Sequence, residues 1–180
     1  MSTTQEADAH ETEPRETLTM NGSEALGDKG FEDFFRGAYE DIARALFLLI
    51  GDRSEAEEYA QGAMVRAWER WSSISAKSDP SAYVFTIGAN LWKRSRRRHR
   101  LYVLPDGPLA ADATERVEDG MELASALRKL TYDQRIALVL TVWLGLTTEE
   151  AGRLLGISPT SVRGRLHRAR RVLRDHGWEA

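Results

Sequence analysis

The sequence predicts an all-α fold in which two small helical domains are joined by a flexible linker. Apolar residues recur at three- and four-residue spacing from Phe31 onward, and only a helix places residues at that spacing on one side. Residues 105–120, rich in Pro, Gly, Ala and Asp, interrupt the pattern and predict the linker. A helix, a glycine turn and an arginine-rich helix follow. We expect an acidic tail at residues 1–30, a first domain at 31–100, a linker at 101–120 and a second domain at 121–176.

Charge is distributed unevenly along the chain. The net charge is −3, which taken alone argues against a nucleic-acid partner. Residues 1–30 are acidic and nearly free of aliphatic and aromatic side chains, a composition typical of disorder. Basic residues are concentrated in two blocks, at 93–100 and at 163–174. Because a concentrated basic block attracts a polyanion whatever the overall charge, a nucleic-acid partner stays in consideration.

Composition disfavours several classes of protein and site. The chain has no cysteine and its four histidines are scattered, so we expect no metal site and no cofactor. No apolar run is long enough to span a membrane, and the first residues lack the basic start and apolar stretch of a targeting peptide. We therefore expect a cytoplasmic protein without membrane insertion. The sequence also contains no recognisable catalytic motif, so an enzyme is not expected.

The first domain is predicted to be a bundle of three or four helices. Its first helix carries an apolar face from Phe31 onward and ends near Gly51. Ser54 and Glu57 have the spacing of a capping box, which predicts the start of the second helix. The inner face of that second helix is expected to consist of Tyr59, Ala60, Ala63, Met64, Ala67, Trp68 and Trp71.

The third helix of the first domain is predicted to carry the first basic block. A polar loop at residues 72–78 precedes it, and Asp79 followed by Pro80 is typical of a helix start. The helical pattern then runs without interruption into residues 93–100, KRSRRRHR. Short connections between the three helices favour a compact bundle. Basic residues at the C-terminal end of a helix are also stabilised by the helix dipole, but that effect is limited to the last turn and does not explain most of this block.

Aromatic residues on the third helix admit two interpretations. Tyr83, Phe85 and Trp92 have helical spacing, and for any one of them packing in the core is the favoured interpretation. They also precede the basic block, and single-stranded nucleic acid binds where cations contact its backbone and rings stack on its bases. Together with a duplex-binding segment elsewhere, this combination indicates a protein that opens DNA.

The second domain contains the pattern of a helix-turn-helix. Thr147 and Glu150 have capping-box spacing and predict the start of the first helix of the motif. Gly156 follows that helix, where a residue with positive φ is needed. Ser158 then predicts an N-cap, and Pro159 suits the first position of the second helix.

The second helix of the motif has one apolar and one cationic side. Val162, Leu166 and Ala169 recur at helical spacing, whereas residues 163–174 contain no acid among their arginines. A solvated surface helix is the alternative interpretation, but such a helix usually mixes charge signs to avoid repulsion. DNA phosphates would relieve the repulsion, and side chains near the start of a recognition helix meet base edges in the major groove.

The segment from Glu55 to Trp68, EAEEYAQGAMVRAW, resembles a helix of the sigma-70 family of RNA polymerase sigma factors. The family pattern is D-A-E-D-L-V-Q-E-x-F-L-R-x-W, and Gly62 stands here where an acid is common. Similarity to the extracytoplasmic-function (ECF) group, which keeps only domains called sigma-2 and sigma-4, runs through both domains. In that family this helix docks on the clamp helices of the polymerase β′ subunit. The resemblance implies core-polymerase contacts for Glu57, Glu58, Gln61 and Arg66.

The third helix resembles the family pattern W-L-x-x-I-A-x-N-x-x-x-D-x-x-R-R, through Tyr83, Val84, Ile87, Gly88 and Asn90. Arg94 occupies the usual aspartate position and adds positive charge. In the family this helix and the loop before it capture the non-template strand of the −10 element. The resemblance implies −10 contacts for Lys77, Ser78, Asn90, Lys93, Arg94, Arg96, Arg97, Arg98 and Arg100.

The closest resemblance spans residues 146–170, which follow the family pattern L-S-x-E-E-I-A-x-x-L-G-I-S-x-x-T-V-K-S-R-L-x-R-A-R. Gly152 replaces alanine there, and Gly164 replaces serine. In the family this helix-turn-helix reads the duplex −35 element. The resemblance implies −35 contacts for Pro159, Thr160, Ser161, Arg163, Gly164, Arg165, His167, Arg168 and Arg170.

The resemblance implies a dissociable subunit that binds core RNA polymerase, through the β′ clamp helices and the β flap, and directs it to promoter DNA. Relatives of the ECF group are commonly held inactive by an anti-sigma protein, so such a partner is a further expectation. The main alternative is a helix-turn-helix transcriptional regulator that is not a polymerase subunit. Such a regulator has no reason to carry the segments 55–68 and 83–100, which favours the first interpretation.

Overall fold

The computed structural model describes residues 22–102, 123, 125–175 and 177. Within these residues the chain is helical and contains no strand. Residues 125–128 form a short helical stretch, and a π-helical segment, Val139–Trp143, directly continues one of the α-helices. The α-helices are α1 (Gly22–Ile50), α2 (Arg53–Trp68), α3 (Trp71–Ile74), α4 (Pro80–Tyr102), α5 (Tyr132–Leu138), α6 (Thr148–Leu155) and α7 (Pro159–Arg174).

The first helix is longer than the sequence predicts. It begins at Gly22, whereas the apolar pattern placed the start of ordered structure near Phe31. Residues 22–30, assigned to the acidic tail from composition, therefore belong to α1. The remainder of the predicted tail, residues 1–21, and most of the predicted linker, residues 103–120, lie outside the described part of the chain.

Helices α1, α2 and α4 form the first domain and share one core. Alanines at the inner face of α2 are fully buried, and these short side chains let the neighbouring helices approach closely. The larger side chains of α1 and α4 fill the space between the helices. Each fully buried Leu, Ile or Phe contributes about 1.5–3 kcal/mol of transfer free energy. The core includes Ile42, Leu46, Leu49, Ala60, Ala63, Met64, Ala67, Val84, Phe85 and Ala89.

Helix α2 begins at a different cap from the one predicted. Its N-cap is Asp52, whose carboxylate accepts a hydrogen bond from the Glu55 backbone amide at 2.8 Å. The predicted Ser54–Glu57 capping box is therefore wrong. Asp and Ser are nearly equivalent as N-cap residues. Asp52 comes first along the chain, directly after the turn at Gly51, which has φ of 84°, and its backbone is extended as an N-cap requires. The Glu57 side chain instead accepts a hydrogen bond from Arg53 Nε at 3.0 Å.

The end of α2 and the loop after it also differ from expectation. Trp68, predicted on the inner face, is 55% exposed, because the helix turns its side chain about 100° away from buried Ala67. The predicted polar loop contains the short helix α3, whose Ile74 is buried. Trp71 belongs to α3, and its ring packs against that of Phe34 with centroids 4.8 Å apart.

The second domain is formed by α5, the π-helical segment, α6 and α7. Thr131 and Gln134 form a capping box at the start of α5, a pair that the sequence analysis missed. In the π-helical segment the Leu144 amide donates to the Val139 carbonyl at 3.0 Å, one residue further back than in an α-helix. The core of this domain includes Leu127, Ile136, Ala137, Leu140, Ala151, Val162, Leu166, Ala169 and Leu173.

The two domains contact each other, and their buried residues form one continuous apolar cluster. The contacts join α1 to α5 and to the π-helical segment, and they join the middle of α4 to the start of α5. None of the helices in the described ranges is long and apolar enough to cross a membrane.

Candidate nucleic-acid interface

The helix-turn-helix is formed by the residues that the sequence predicts. The Thr147 hydroxyl accepts a hydrogen bond from the Glu150 amide at 3.2 Å, and the Glu150 carboxylate accepts one from the Thr147 amide at 2.9 Å. Gly156 ends α6 with φ of 66° in the left-handed region. Ser158 caps α7 by accepting a hydrogen bond from the Ser161 amide at 3.1 Å. The predicted capping box, turn glycine and N-cap are thus confirmed.

Two glycines in this motif have different structural roles. A methyl group on Gly152 would come within 2.8 Å of the Ile157 carbonyl oxygen, closer than side chains approach backbone oxygens. Gly152 therefore permits the close approach of α6 to the turn. The family pattern has alanine at this position, and the backbone of this chain requires the smaller residue. At Gly164 the nearest atom, on the Arg168 guanidinium, would be 3.5 Å away, an ordinary contact. The geometry of α7 does not require glycine at that position.

Helix α7 buries its apolar side and presents the predicted contact residues on the other. Pro159, Gly164 and Arg165 are half-buried at the edges of that exposed side. The remaining predicted −35 contact residues are exposed, and they are Thr160, Ser161, Arg163, His167, Arg168 and Arg170.

Two arginines of α7 are paired with acids from neighbouring helices. Arg163 Nη1 lies 3.2 Å from Glu149 Oε1 and Arg165 Nη2 lies 3.3 Å from Asp133 Oδ2. The sequence argument noted that α7 carries no acid among its arginines, but it missed these partners because they come from other helices. The Glu149 backbone amide, the Thr148 hydroxyl and Arg163 hold the pKa of the Glu149 carboxyl below its usual value.

The first basic block lies on the exposed part of α4. Asp79 caps this helix as predicted, accepting a hydrogen bond from the Ala82 amide at 2.8 Å. Asn90, Arg94 and Arg97 lie along one side of the helix at three- and four-residue spacing, and all three are exposed. Lys93 and Arg98 are also exposed, whereas the side chains of His99 and Arg100 lie outside the described residues.

The loop before α4 adds to the exposed side of that helix. Lys77 and Ser78 are exposed, and Lys77 Nζ lies 5.5 Å from the centroid of the Tyr83 ring. Tyr83 is half-buried and follows the same side of α4 as Asn90 and Arg94. A cation, a ring, an amide and two guanidinium groups thus share one surface.

Two other aromatic residues of α4, Phe85 and Trp92, face away from that surface. Phe85 is fully buried, which confirms the core-packing interpretation for this residue. Trp92 lies on the side of α4 opposite Asn90, and its Nε1 donates a hydrogen bond to Glu55 Oε2 at 3.0 Å. Its ring stacks on Tyr132 with centroids 5.9 Å apart, and the Arg96 guanidinium lies 5.5 Å from it. Trp92 and Arg96 therefore lie on a different side of α4 from Asn90, Arg94 and Arg97.

A second exposed surface lies on the outer side of α2. The four predicted polymerase contacts are all exposed there. Val65 and Trp68, each 55% exposed, lie among them and were missed as candidates. Their signal in the sequence was an apolar residue on the polar side of an amphipathic helix, followed by another three residues later. We refer to this set as the α2 surface: Glu57, Glu58, Gln61, Val65, Arg66 and Trp68.

Metal ligands are not grouped in the described part of the chain, where no three His, Cys, Asp or Glu side chains come together. The candidate site thus consists of a pair of cationic surfaces, one on α4 and one on α7, together with the α2 surface of the first domain.

Comparison with known proteins relates both domains to one family. Residues 34–102 match the family model described as Sigma-70 region 2, and residues 120–173 match the model described as Sigma-70, region 4. An RNA polymerase sigma-E factor from Streptomyces coelicolor is 33% identical over 150 residues, covering 81% of this chain and 84% of that protein. The ECF RNA polymerase sigma factor SigL from Mycobacterium tuberculosis is 28% identical, covering 77% of this chain and 86% of that protein.

Solved structures give the same relationship. The sigma factor RpoE, in complex with the anti-sigma factor NepR from Bartonella quintana, has a TM-score of 0.67 and 25% identity, covering 82% of this chain and 96% of that one. CnrH, in complex with the cytosolic domain of CnrY, has a TM-score of 0.60 and 26% identity, covering 85% of this chain and 93% of that one. The chain therefore belongs to the extracytoplasmic-function group of the sigma-70 family.

Proposed function

We propose that this chain is a non-catalytic subunit that binds core RNA polymerase, directs it to specific promoters and helps to melt the −10 region. The single observation that carries the proposal is the presence of three different surfaces on one polypeptide. A duplex-reading helix, a basic strip with an aromatic ring and an apolar-centred protein surface together suit promoter recognition by a polymerase subunit. A plain DNA-binding regulator needs only the first of these.

Helix α7 is suited to the duplex −35 element. Thr160, Ser161 and Arg163, near the N-terminus of this helix, are exposed. Side chains near the N-terminus of a recognition helix contact base edges in the major groove. His167, Arg168 and Arg170 follow on the same exposed surface and suit phosphate contacts, which supply affinity without sequence preference.

The exposed side of α4 is suited to the unpaired non-template strand of the −10 element. Arg94 and Arg97 can neutralise the strand's phosphates, while Asn90 offers an amide to a base edge. Tyr83 supplies a half-exposed ring on this side of the helix, with Lys77 beside it. The ring suits stacking by a base that has left the duplex.

The α2 surface is suited to a protein partner, the clamp helices of the polymerase β′ subunit. Val65 and Trp68 provide exposed apolar area, and Glu58, Gln61 and Arg66 provide polar groups around it. An apolar centre with a polar rim is the usual composition of an interface that dissociates. The second domain would contact the β flap and thereby stay on the same polymerase.

Joining two DNA-binding domains also explains why neither has to bind tightly alone. Once α7 has bound its element, the second binding event is intramolecular and occurs at a high effective concentration. The solved relatives RpoE and CnrH were captured with NepR and with the cytosolic domain of CnrY. We include an anti-sigma protein among the partners of this chain, and the cytoplasm as the place where it meets polymerase.

Reconstituted transcription tests the proposal. The purified chain is added to sigma-free core RNA polymerase with a genomic promoter library, and run-off transcripts are sequenced. We expect transcripts that start at a defined set of promoters and depend on this chain. If no template gives a chain-dependent transcript, while the chain still binds duplex DNA, the regulator interpretation replaces this one.

A further inference from the structure

One arginine of α7 has several of its donors engaged by side chains around the turn of the helix-turn-helix. Arg163 Nη1 donates to Glu149 Oε1 at 3.2 Å and to the Thr148 hydroxyl at 3.3 Å, and its Nη2 donates to the Thr160 hydroxyl at 3.3 Å. Thr148 in turn donates to Glu149 Oε2 at 3.0 Å. Four side chains from α6 and α7 therefore form one hydrogen-bonded network.

The network leaves two donors of Arg163 unused. A guanidinium has five N–H groups in one plane, and the network engages both groups on Nη1 and one on Nη2. The Nε group and the second Nη2 group remain. Two donors on one guanidinium match the O6 and N7 acceptors that guanine presents in the major groove. Arg163 can therefore contact a base edge while Glu149 and Thr148 still bind its other end.

The acid in this network is fixed by its own helix. Glu149 lies in the first turn of α6, where the helix dipole and the unpaired backbone amides favour a negative charge. Its backbone amide and the Thr148 hydroxyl, followed by Arg163, hold the pKa of the Glu149 carboxyl below its usual value. The carboxylate is thus a charged anchor whose position does not depend on the arginine alone.

Neighbouring arginines of α7 have no comparable anchor or are less accessible. Arg168 and Arg171 are exposed, and within the described residues neither forms an ion pair. Such side chains suit phosphate contacts, which carry no sequence information. Arg165 is paired with Asp133, but its side chain is only 21% exposed. Arg163, whose side chain is 55% exposed, combines an anchor with access to DNA.

We propose that Glu149 and Thr148 are positioning residues for sequence recognition, which direct the free donors of Arg163 to one base edge of the −35 element. The inference rests on the proposed function for the identity of that element. It gives Glu149 two effects of opposite sign. Its negative charge repels phosphates and weakens binding to any duplex. Its hydrogen bond pre-organises Arg163 and thereby improves discrimination at one base pair.

Selection of duplexes from a randomised library by the full chain at low salt, followed by sequencing, tests the proposal. The native chain should prefer guanine at one base pair, and Arg163→Ala should remove that preference, which for a bidentate contact is roughly 5- to 150-fold. Glu149→Gln should lower the same preference by about threefold or more and leave other positions unchanged. In the Arg163→Ala background Glu149→Gln should have no further effect on it. Arg171→Ala, the exposed-arginine control, should lower affinity for all duplexes alike.

Binding to a duplex of random sequence separates positioning from a purely structural role. Glu149→Gln should bind this duplex more tightly than the native chain does, because a negative charge beside the phosphates is removed. General damage to α6 would instead weaken binding to every duplex. If Glu149→Gln loses helical content, Thr148→Val decides, because it removes a hydroxyl from the network and no charge.

Two results would overturn the proposal. One is an unchanged base preference in the folded Glu149→Gln or Thr148→Val variants, and the other is a native chain that shows no base preference dependent on Arg163. Failure of the proposed function would be seen separately, as absence of transcripts from sigma-free polymerase.

Discussion

Guanidinium groups on α7 are positioned by neighbouring side chains before any ligand is bound. Arg163 Nη1 donates hydrogen bonds to the Glu149 carboxylate at 3.2 Å and to the Thr148 hydroxyl at 3.3 Å, both across the turn. Because both side chains of this ion pair are exposed, it contributes little to stability. Its effect is to orient the side chain. A DNA base edge can then contact the arginine without a large rearrangement of its side chain.

Arg163→Ala combined with Arg165→Ala should weaken promoter binding by the assembled polymerase. Each lost base contact costs about 1–3 kcal/mol, and each lost phosphate contact lowers the dependence of binding on salt. Filter binding or fluorescence anisotropy over a range of salt concentrations measures both effects. Arg44→Ala, which removes an exposed, ion-paired arginine from α1, is the matched control. Association with core polymerase should be unchanged, and an equal loss of that association would contradict the role of α7.

Tyr132 provides a titration signal from the domain interface. Burial, followed by the charge of Asp133, raises the pKa of Tyr132 from 10.0 to about 12, and Arg165 acts in the opposite direction. An acid whose pKa is higher when folded keeps its proton longer, so folded stability should fall as pH rises from about 10 to 12. Tyr132→Phe should remove the contribution of this phenol to the fall in stability, together with the tyrosinate absorbance that appears at about pH 12. If the tyrosinate absorbance that appears at about pH 12 persists in Tyr132→Phe, it does not come from Tyr132, and that result would contradict the burial of this phenol.

Helix boundaries were predictable where one local signal dominates. The Thr147–Glu150 box, the Gly156 turn and the Ser158 cap each act within four residues, and the structure contains all three. Prediction failed where two local signals compete, as for Asp52 and Ser54 at the start of α2. It also failed at the edge of a helix face, as for Trp68, whose side chain points about 100° away from that of buried Ala67. These errors involve geometry that residue spacing alone does not determine.

Substitutions at the two glycines of the helix-turn-helix should have opposite effects on stability. Gly152→Ala places a methyl group 2.8 Å from the Ile157 carbonyl oxygen, and overpacking of this kind costs about 1–3 kcal/mol. Gly164→Ala gains about 1 kcal/mol of helix propensity and meets only the flexible end of Arg168. Thermal unfolding followed by circular dichroism should give a lower midpoint for the first variant and a higher one for the second. Equal shifts would show that the turn adapts freely.

The α2 surface should control attachment to polymerase independently of DNA. Glu58→Lys with Gln61→Ala reverses one charge and removes one amide from the exposed side of α2, so pull-down of core polymerase should fall at least several-fold, as for an interface with polar rim contacts. Binding of the chain to duplex DNA should not change. Arg44→Ala serves again as the exposed-charge control. If the variant retains polymerase as well as the native chain does, the docking surface does not lie on this side of α2.

At the scale of the whole molecule, the arrangement of the domains could not be predicted from the sequence. The hydrogen bond from Arg135 to Leu49 joins residues that are 86 positions apart, and no local pattern encodes such a contact. For Trp92 the sequence analysis left two interpretations open, core packing, which it favoured, and strand binding beside the basic block. In the structure Tyr132 and Glu55 contact that ring from other elements. Composition and periodicity identified the two domains and the two basic blocks, whereas the family resemblance supplied most of the individual contact residues. The contact between domains required their three-dimensional positions.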